Sequence, residues 1–172
     1  MACLGVFFAI DEKTVQTLKD ARRADLVAYV QEKIEEVYFA ERESQVAEIN
    51  KAWDAIHRAF ADSELDFNPA TGAYPANWII MGGDVLYGDQ DAEDDYIITL
   101  KNPAAVRDIY NYLSGLTETG FKELYFKIDP DKYGFPLDEQ DFNYTWEWLS
   151  GTLDFWKNAS GKNLSVIFTV DQ

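Results

Sequence analysis

The segment NKAWDAIHRAF, residues 50–60, carries the single histidine of this 172-residue chain. Trp53 stands four residues before His57 and Asp54 three before it, so on a helix the three project to one side and the Asp54 carboxylate can approach the imidazole. An Asp–His pair is half of a hydrolytic triad, with the histidine as general base. The nucleophile is missing, because the sequence has no G-x-S-x-G elbow and Cys3 lies in an apolar run where a thiol stays protonated. His57 is therefore expected to pack structurally, or to line a binding pocket with Trp53 and Asp54, ahead of any role as a base.

Metal chemistry is equally poorly served. H-E-x-x-H is absent and zinc needs three or four nitrogen or sulfur ligands, so neither a metal nor a cofactor is expected. The acidic stretch DQDAEDD offers Asp89, Asp91, Glu93, Asp94 and Asp95 to a hard cation, but an EF-hand loop needs glycine sixth and glutamate twelfth, where this chain has Asp94 and Leu100. DPDKYGFPLDEQ has Gly134 in sixth place, yet Tyr133 and Gln140 occupy ligand positions. Both stretches read as solvated acidic loops. The tandem Gly82 and Gly83 could turn backbone N–H groups toward an anion, but the G-K-[ST] ending of a phosphate loop does not follow, and a tight turn is the expectation.

The elements that must position these residues follow from periodicity. Val6, Phe7, Phe8 and Ile10 form a short apolar run that suits a buried strand, followed by a short helix from Asp11 to Asp20. From Ala24, the residues Leu26, Val27, Val30, Ile34, Val37 and Tyr38 recur at helical spacing and predict one long amphipathic helix. The polar AERESQ interrupts it. Asn50 is expected to cap a third helix that places Trp53, Ile56, His57 and Phe60 on one face. Residues 66–95 read as loop around the apolar NWIIM, with DYIITLK as a strand after it. NPAAV supplies an asparagine cap with proline at the first helical position, opening a helix through Leu116, and Phe121 to Tyr125 form a shorter one. Phe142, Trp146, Leu149, Leu153 and Trp156 predict a long helix ending at Gly161, which leaves Tyr144 and Trp148 off the stripe as exposed anchors for a partner. NLSVIFTV closes the chain as a strand. The expected fold is α+β over residues 1–172, a single domain of about six helices around a small sheet of N-terminal, middle and C-terminal strands.

Composition narrows the partners. Fifteen basic against 31 acidic residues leave a net charge of −16, which repels a phosphate backbone, so nucleic acid is excluded and a basic protein is the compatible partner. No run of apolar residues is long enough for a membrane helix. The lone Cys3 forms no internal disulfide and points to a reducing compartment, and the opening MACLGVFFAI lacks the basic start of a signal peptide, so a cytoplasmic location is expected.

In their order along the chain, LGVFFAID, KAWDAIH, IIMGGD and YGFP resemble the YfbM-like family of bacterial proteins of unknown function. The resemblance spans nearly the whole chain and falls on Lys51, Trp53, Asp54 and His57 in the helix and on Gly82 and Gly83 in the loop. Where many relatives continue with leucines and a glycine, this chain has Arg58, Ala59, Phe60 and Ala61. The resemblance implies a compact bacterial domain and brings no reaction with it. In size and charge the chain is also similar to immunity proteins that block basic toxins. The expected function is a non-enzymatic binding module of that general kind. The alternative is a small-ligand-binding or hydrolytic enzyme with a pocket around Trp53, Asp54 and His57, to which Gly82 and Gly83 are further candidate contributors.

Overall fold

The computed structural model describes residues 3–88 and 95–171. The first apolar run forms β1 (Gly5–Ile10), and all six of its residues are buried. A strand covered on one face alternates apolar with polar, so an unbroken apolar run calls for cover on both faces. Phe7 and Ala9 face one cluster with Ile56, Val106 and Trp156. Val6, Phe8 and Ile10 face another, with Leu18, Val30 and Ile34.

After β1 come α1 (Glu12–Asp20), α2 (Arg23–Tyr29), π-helical turns at Val30–Glu35, α3 (Glu36–Glu41), β2 (Val46–Asn50), α4 (Trp53–Phe60), β3 (Asp84–Tyr87), β4 (Tyr96–Lys101), α5 (Pro103–Gly115), α6 (Glu118–Tyr125), α7 (Glu139–Gly151), α8 (Leu153–Gly161) and β5 (Ser165–Asp171). The strands form one antiparallel sheet in the order β2-β1-β5-β4-β3. Helices α1–α3 cover one face and α4–α8 the other. The fold is α+β, as expected. The terminal and middle strands make the centre of the sheet, and β2 and β3, both unforeseen, are its edges.

Several local expectations need correction. Asn50 does not cap α4. It ends β2 with φ of 49°, its Oδ1 accepts from Lys51 N at 2.8 Å, and the helix starts after Ala52 with no side-chain cap. The Asn102 cap does form, accepting from Ala105 N at 2.9 Å. The long helix from residue 24 is interrupted by the π-helical turns, for a reason in its own spacing. Leu26, Val30, Ile34 and Tyr38 are all buried and step by four residues, and each such step overshoots an α-turn by about 40°. The wider π turns take back that drift and hold the row against the sheet. The long C-terminal helix breaks at Thr152, whose hydroxyl donates to Leu149 O at 2.7 Å, a side-chain bond that bends helices. Within the loop region, Gly83 and Gly88, with φ of 102° and 104°, bracket β3, which pairs with β4 through a bulge between Val85 and Tyr87. Of the acidic stretch 89–95, only Asp95 lies among the described residues.

Candidate functional site

The α4 side chains go three separate ways. Trp53 is 5% exposed, donates its indole N–H to Cys3 O at 3.1 Å and packs its ring 6.2 Å from that of Phe168. Asp54 turns outward to Arg58, 2.5 Å away, one helical turn on. Arg58 also donates to Ser63 O at 2.8 Å, tying α4 to the turn that follows it. The Asp54 carboxylate is thus engaged by Arg58, while the His57 ring pairs with the Asp66 carbonyl. His57 is 3% exposed, with Nε2 3.2 Å from Asp66 O. A carbonyl only accepts, so Nε2 carries the proton and the ring is the neutral tautomer. Burial pushes its pKa down to about 4, partly opposed by the Asp66 carbonyl and reinforced by the charge of Lys101.

The histidine borders a cavity of about 60 Å³, shared with Asp66, Asn77, Gly82 and Gly83. Neither Trp53 nor Asp54 reaches it. It has room for one or two waters. Asn77 donates its amide to Pro69 O at 3.2 Å and Thr71 O at 2.9 Å, and its Oδ1 is buried without a partner among the described residues. The glycines close the wall. A Cβ on Gly82 would lie 2.6 Å from Trp78 Cα, and one on Gly83 would lie 2.3 Å from Leu100 O. Gly82 therefore lets the turn close onto Asn77 and Trp78, and Gly83 lets it press onto β4.

Beside this nook lies a residue that periodicity did not single out. Lys101 ends β4 with its side chain fully buried, donating to Ile80 O and to the Thr99 hydroxyl and lying 5.6 Å from the centre of the Phe168 ring. No carboxylate forms an ion pair with it among the described residues. Burial holds its ammonium pKa well below the usual lysine value. A lysine at the end of a strand ordinarily reads as a surface residue, and the alternating Thr99, Leu100 and Lys101 at the end of β4 give no local sign that this face is covered.

The open site lies at the other edge of the sheet. A groove of about 800 Å³ follows β2 along Val46, Ala47 and Glu48, with Phe39 on one side and Trp148 and Phe155 on the other. Glu43, Glu48, Glu147 and Asp154 line it, and no lysine, arginine or histidine does. Trp148 is half-buried and stacks edge-on with Tyr144, 6.2 Å between rings, so of the two expected anchors it is Trp148 that faces the groove. Phe39 and Glu48 also line a second pocket, of about 280 Å³, that continues past the end of β2. There Glu35, from the π-helical turns, accepts from the Tyr96 hydroxyl and from Thr169 Oγ1 at 3.1 Å. Burial and the adjacent carboxylate push the Tyr96 phenol far up, so it remains a donor.

This α+β architecture, with its tandem-glycine turn beside a buried helix histidine, belongs to a family without an assigned activity. The profile described as "Domain of unknown function (DUF1877)" matches residues 1–169, and the chain belongs to that family. Its fold is similar to that of YfbM from Escherichia coli, a protein of unknown function known from its crystal structure, with a TM-score of 0.65 over 97% of this chain and 99% of that one. At 12% identity that likeness carries the fold alone. No curated protein matches the chain. Among the described residues, no cluster of histidine, cysteine or carboxylate side chains could hold a metal, and no helix is long and apolar enough to cross a membrane.

Proposed function

We propose that the protein is a non-enzymatic, cytoplasmic binding module that engages a basic protein partner through the groove beside β2. The observation that carries this reading is the composition of the groove: four carboxylates and aromatic walls, with no cation among its lining residues. Aromatic side chains supply contact area, and carboxylates of one sign supply attraction and orientation for a cationic surface. A net charge of −16 extends that attraction beyond the contact itself. A basic toxin held by an immunity protein is the partner class that the size and charge of the chain suggest. The His57 nook supports a ligand or hydrolytic reading less well. Its histidine already spends Nε2–H on a backbone carbonyl, and the cavity beside it is too small for an organic substrate.

Titration of a lysine-rich peptide, followed by stopped-flow tryptophan fluorescence at low and high salt, tests the reading. The association rate should fall steeply as salt screens the attraction over about 8 Å at physiological ionic strength. A rate indifferent to salt would contradict it.

A further inference from the structure

We infer that the occupant of the groove is an extended basic segment of the partner, which adds to the free edge of β2 as a further strand and seats a lysine or arginine side chain against Glu35. This rests on the groove reading above and says how that groove is filled. In the sheet order β2 is terminal, and its outer edge pairs with no strand among the described residues. An unpaired edge presents a row of N–H and C=O groups that another strand can satisfy, and strand addition of this kind gives a recurring mode of peptide recognition. The groove follows that edge. Val46, Ala47 and Glu48 line it, and the helices that rise on both sides leave the edge accessible between Phe39 and Trp148.

Register assigns the faces. Ala47 pairs with Phe7, whose side chain lies on the α4–α8 side, whereas Val46 and Glu48 pair with Phe8 and Val6, on the α1–α3 side. Side chains of an added strand alternate in the same way. Alternate residues would meet Trp148, Glu147 and Asp154 on one face, and Glu48, Phe39 and the Glu35 pocket on the other. A pocket of about 280 Å³ that joins the groove at Phe39 and Glu48 can admit one long cationic side chain. Glu35 has two donors on Oε1, Tyr96 and Thr169, which hold the carboxylate in place. Charge also excludes the simplest competing occupant. A second copy of this chain would bring its own Glu48 and net charge of −16 to an already acidic groove, and like charges opposed across a strand pair destabilise it.

The probe is a short synthetic peptide alternating lysine and valine, its N-methylated versions blocked either at the lysine or at the valine amides, and a helical peptide of matching charge. Affinity is read from the part of the tryptophan signal that Trp148→Phe removes, and hydrogen exchange is followed at Val46–Asn50. Strand addition predicts that N-methylation in one phase weakens binding by roughly tenfold or more, as lost hydrogen bonds require, and in the other phase has little effect. It also predicts slower exchange at β2 and a preference over the helical peptide. Glu35→Gln keeps an acceptor for Tyr96 and Thr169, and should weaken the lysine peptide while leaving an analogue with norleucine in place of lysine unaffected. Equal effects of the two N-methylation phases, or no protection at β2, would overturn strand addition and leave the groove reading standing. Indifference to Glu35→Gln would overturn the side-chain assignment. Failure of every cationic peptide to bind would overturn the groove reading and this inference with it.

Discussion

The nook at His57 and the groove at β2 use polar groups in opposite ways. In the nook, His57 is neutral and hydrogen-bonded to Asp66 O, the Lys101 amine is fully buried, and two glycines hold backbone against backbone. In the groove, Glu43, Glu48, Glu147 and Asp154 are exposed, and none of them forms an ion pair among the described residues. Desolvation turns the first set toward holding the fold, because a buried group keeps its place only when neutral or hydrogen-bonded. Solvation leaves the second set free to act on another molecule. The residue types that first suggest chemistry are therefore a poor guide here, and burial decides between the two roles.

If that contrast is right, the nook should be where substitutions cost most. Gly83→Ala places a methyl group 2.3 Å from Leu100 O at a residue with φ of 102°, so the loop cannot remain against β4. The combined clash and backbone strain should cost about 3–5 kcal/mol. Chemical denaturation would measure it, and a fully stable variant would show that the turn is not the anchor it is taken for.

His57 gives the next largest effect, and a signed pH dependence. With its pKa at about 4 in the folded chain against 6.5 when unfolded, the unfolded chain holds the extra proton between those values. Stability from this group is thus complete above pH 6.5 and is lost as pH falls toward 4, by roughly 3 kcal/mol. His57→Ala should cost about 1–3 kcal/mol at neutral pH, and His57→Gln less, since an amide N–H can still donate to Asp66 O. Both variants should lose less stability than the native chain on acidification. Parallel pH profiles of native and His57→Gln protein would defeat this account of the histidine.

Lys101 sharpens the same side of the comparison with a smaller change. Its folded pKa is lowered, so below the unfolded lysine value the unfolded chain binds more protons and stability rises as pH is raised toward that value. Lys101→Met removes the desolvated amine, while the Thr99 hydroxyl still donates to Ile80 O at 2.8 Å. The variant should lie within about 1 kcal/mol of the native protein at neutral pH, on either side of it. It should also lack the alkaline rise, which thermal denaturation across neutral to alkaline pH would detect.

The sheet centre was legible because β1, β4 and β5 each carry a short unbroken apolar run, Val6–Ile10, Tyr96–Ile98 and Val166–Phe168, and the Asn102–Pro103 start of α5 because its cap and proline act locally. The edges were not. β2 alternates only over VAEIN and carries Glu48 outward, which reads as polar linker until β1 is there to pair with it. β3 is four residues between glycines. The approach of Asp54 to His57 was a fair inference from helical spacing, but an arginine four residues after the aspartate competes for it, and the ion pair at 2.5 Å takes precedence. The groove was out of reach for a different reason. Its walls come from residues 39–48 and 147–158, and no local pattern announces that two distant acidic, aromatic stretches will face each other across a strand edge.

The smallest effect on stability should come from the groove itself, and the comparison can be broken most directly there. Glu147→Gln with Asp154→Asn removes two exposed charges and keeps the shape of both side chains. Neither residue forms an ion pair within the chain among the described residues, so no favourable partner is lost. Removing two negative charges from a chain of net charge −16 relieves self-repulsion, which gives the change a neutral or slightly stabilising sign. Denaturation midpoints should move by no more than about 0.5 kcal/mol in free energy, the range of ordinary surface substitutions. In the same variant, the association of the lysine-rich peptide should slow and lose part of its salt dependence, because two of the four carboxylates that line the groove are gone. A marked loss of stability would mean that these carboxylates serve the fold after all, as the nook residues do. Unchanged stability with unchanged association would mean that the groove charge serves neither the fold nor a partner.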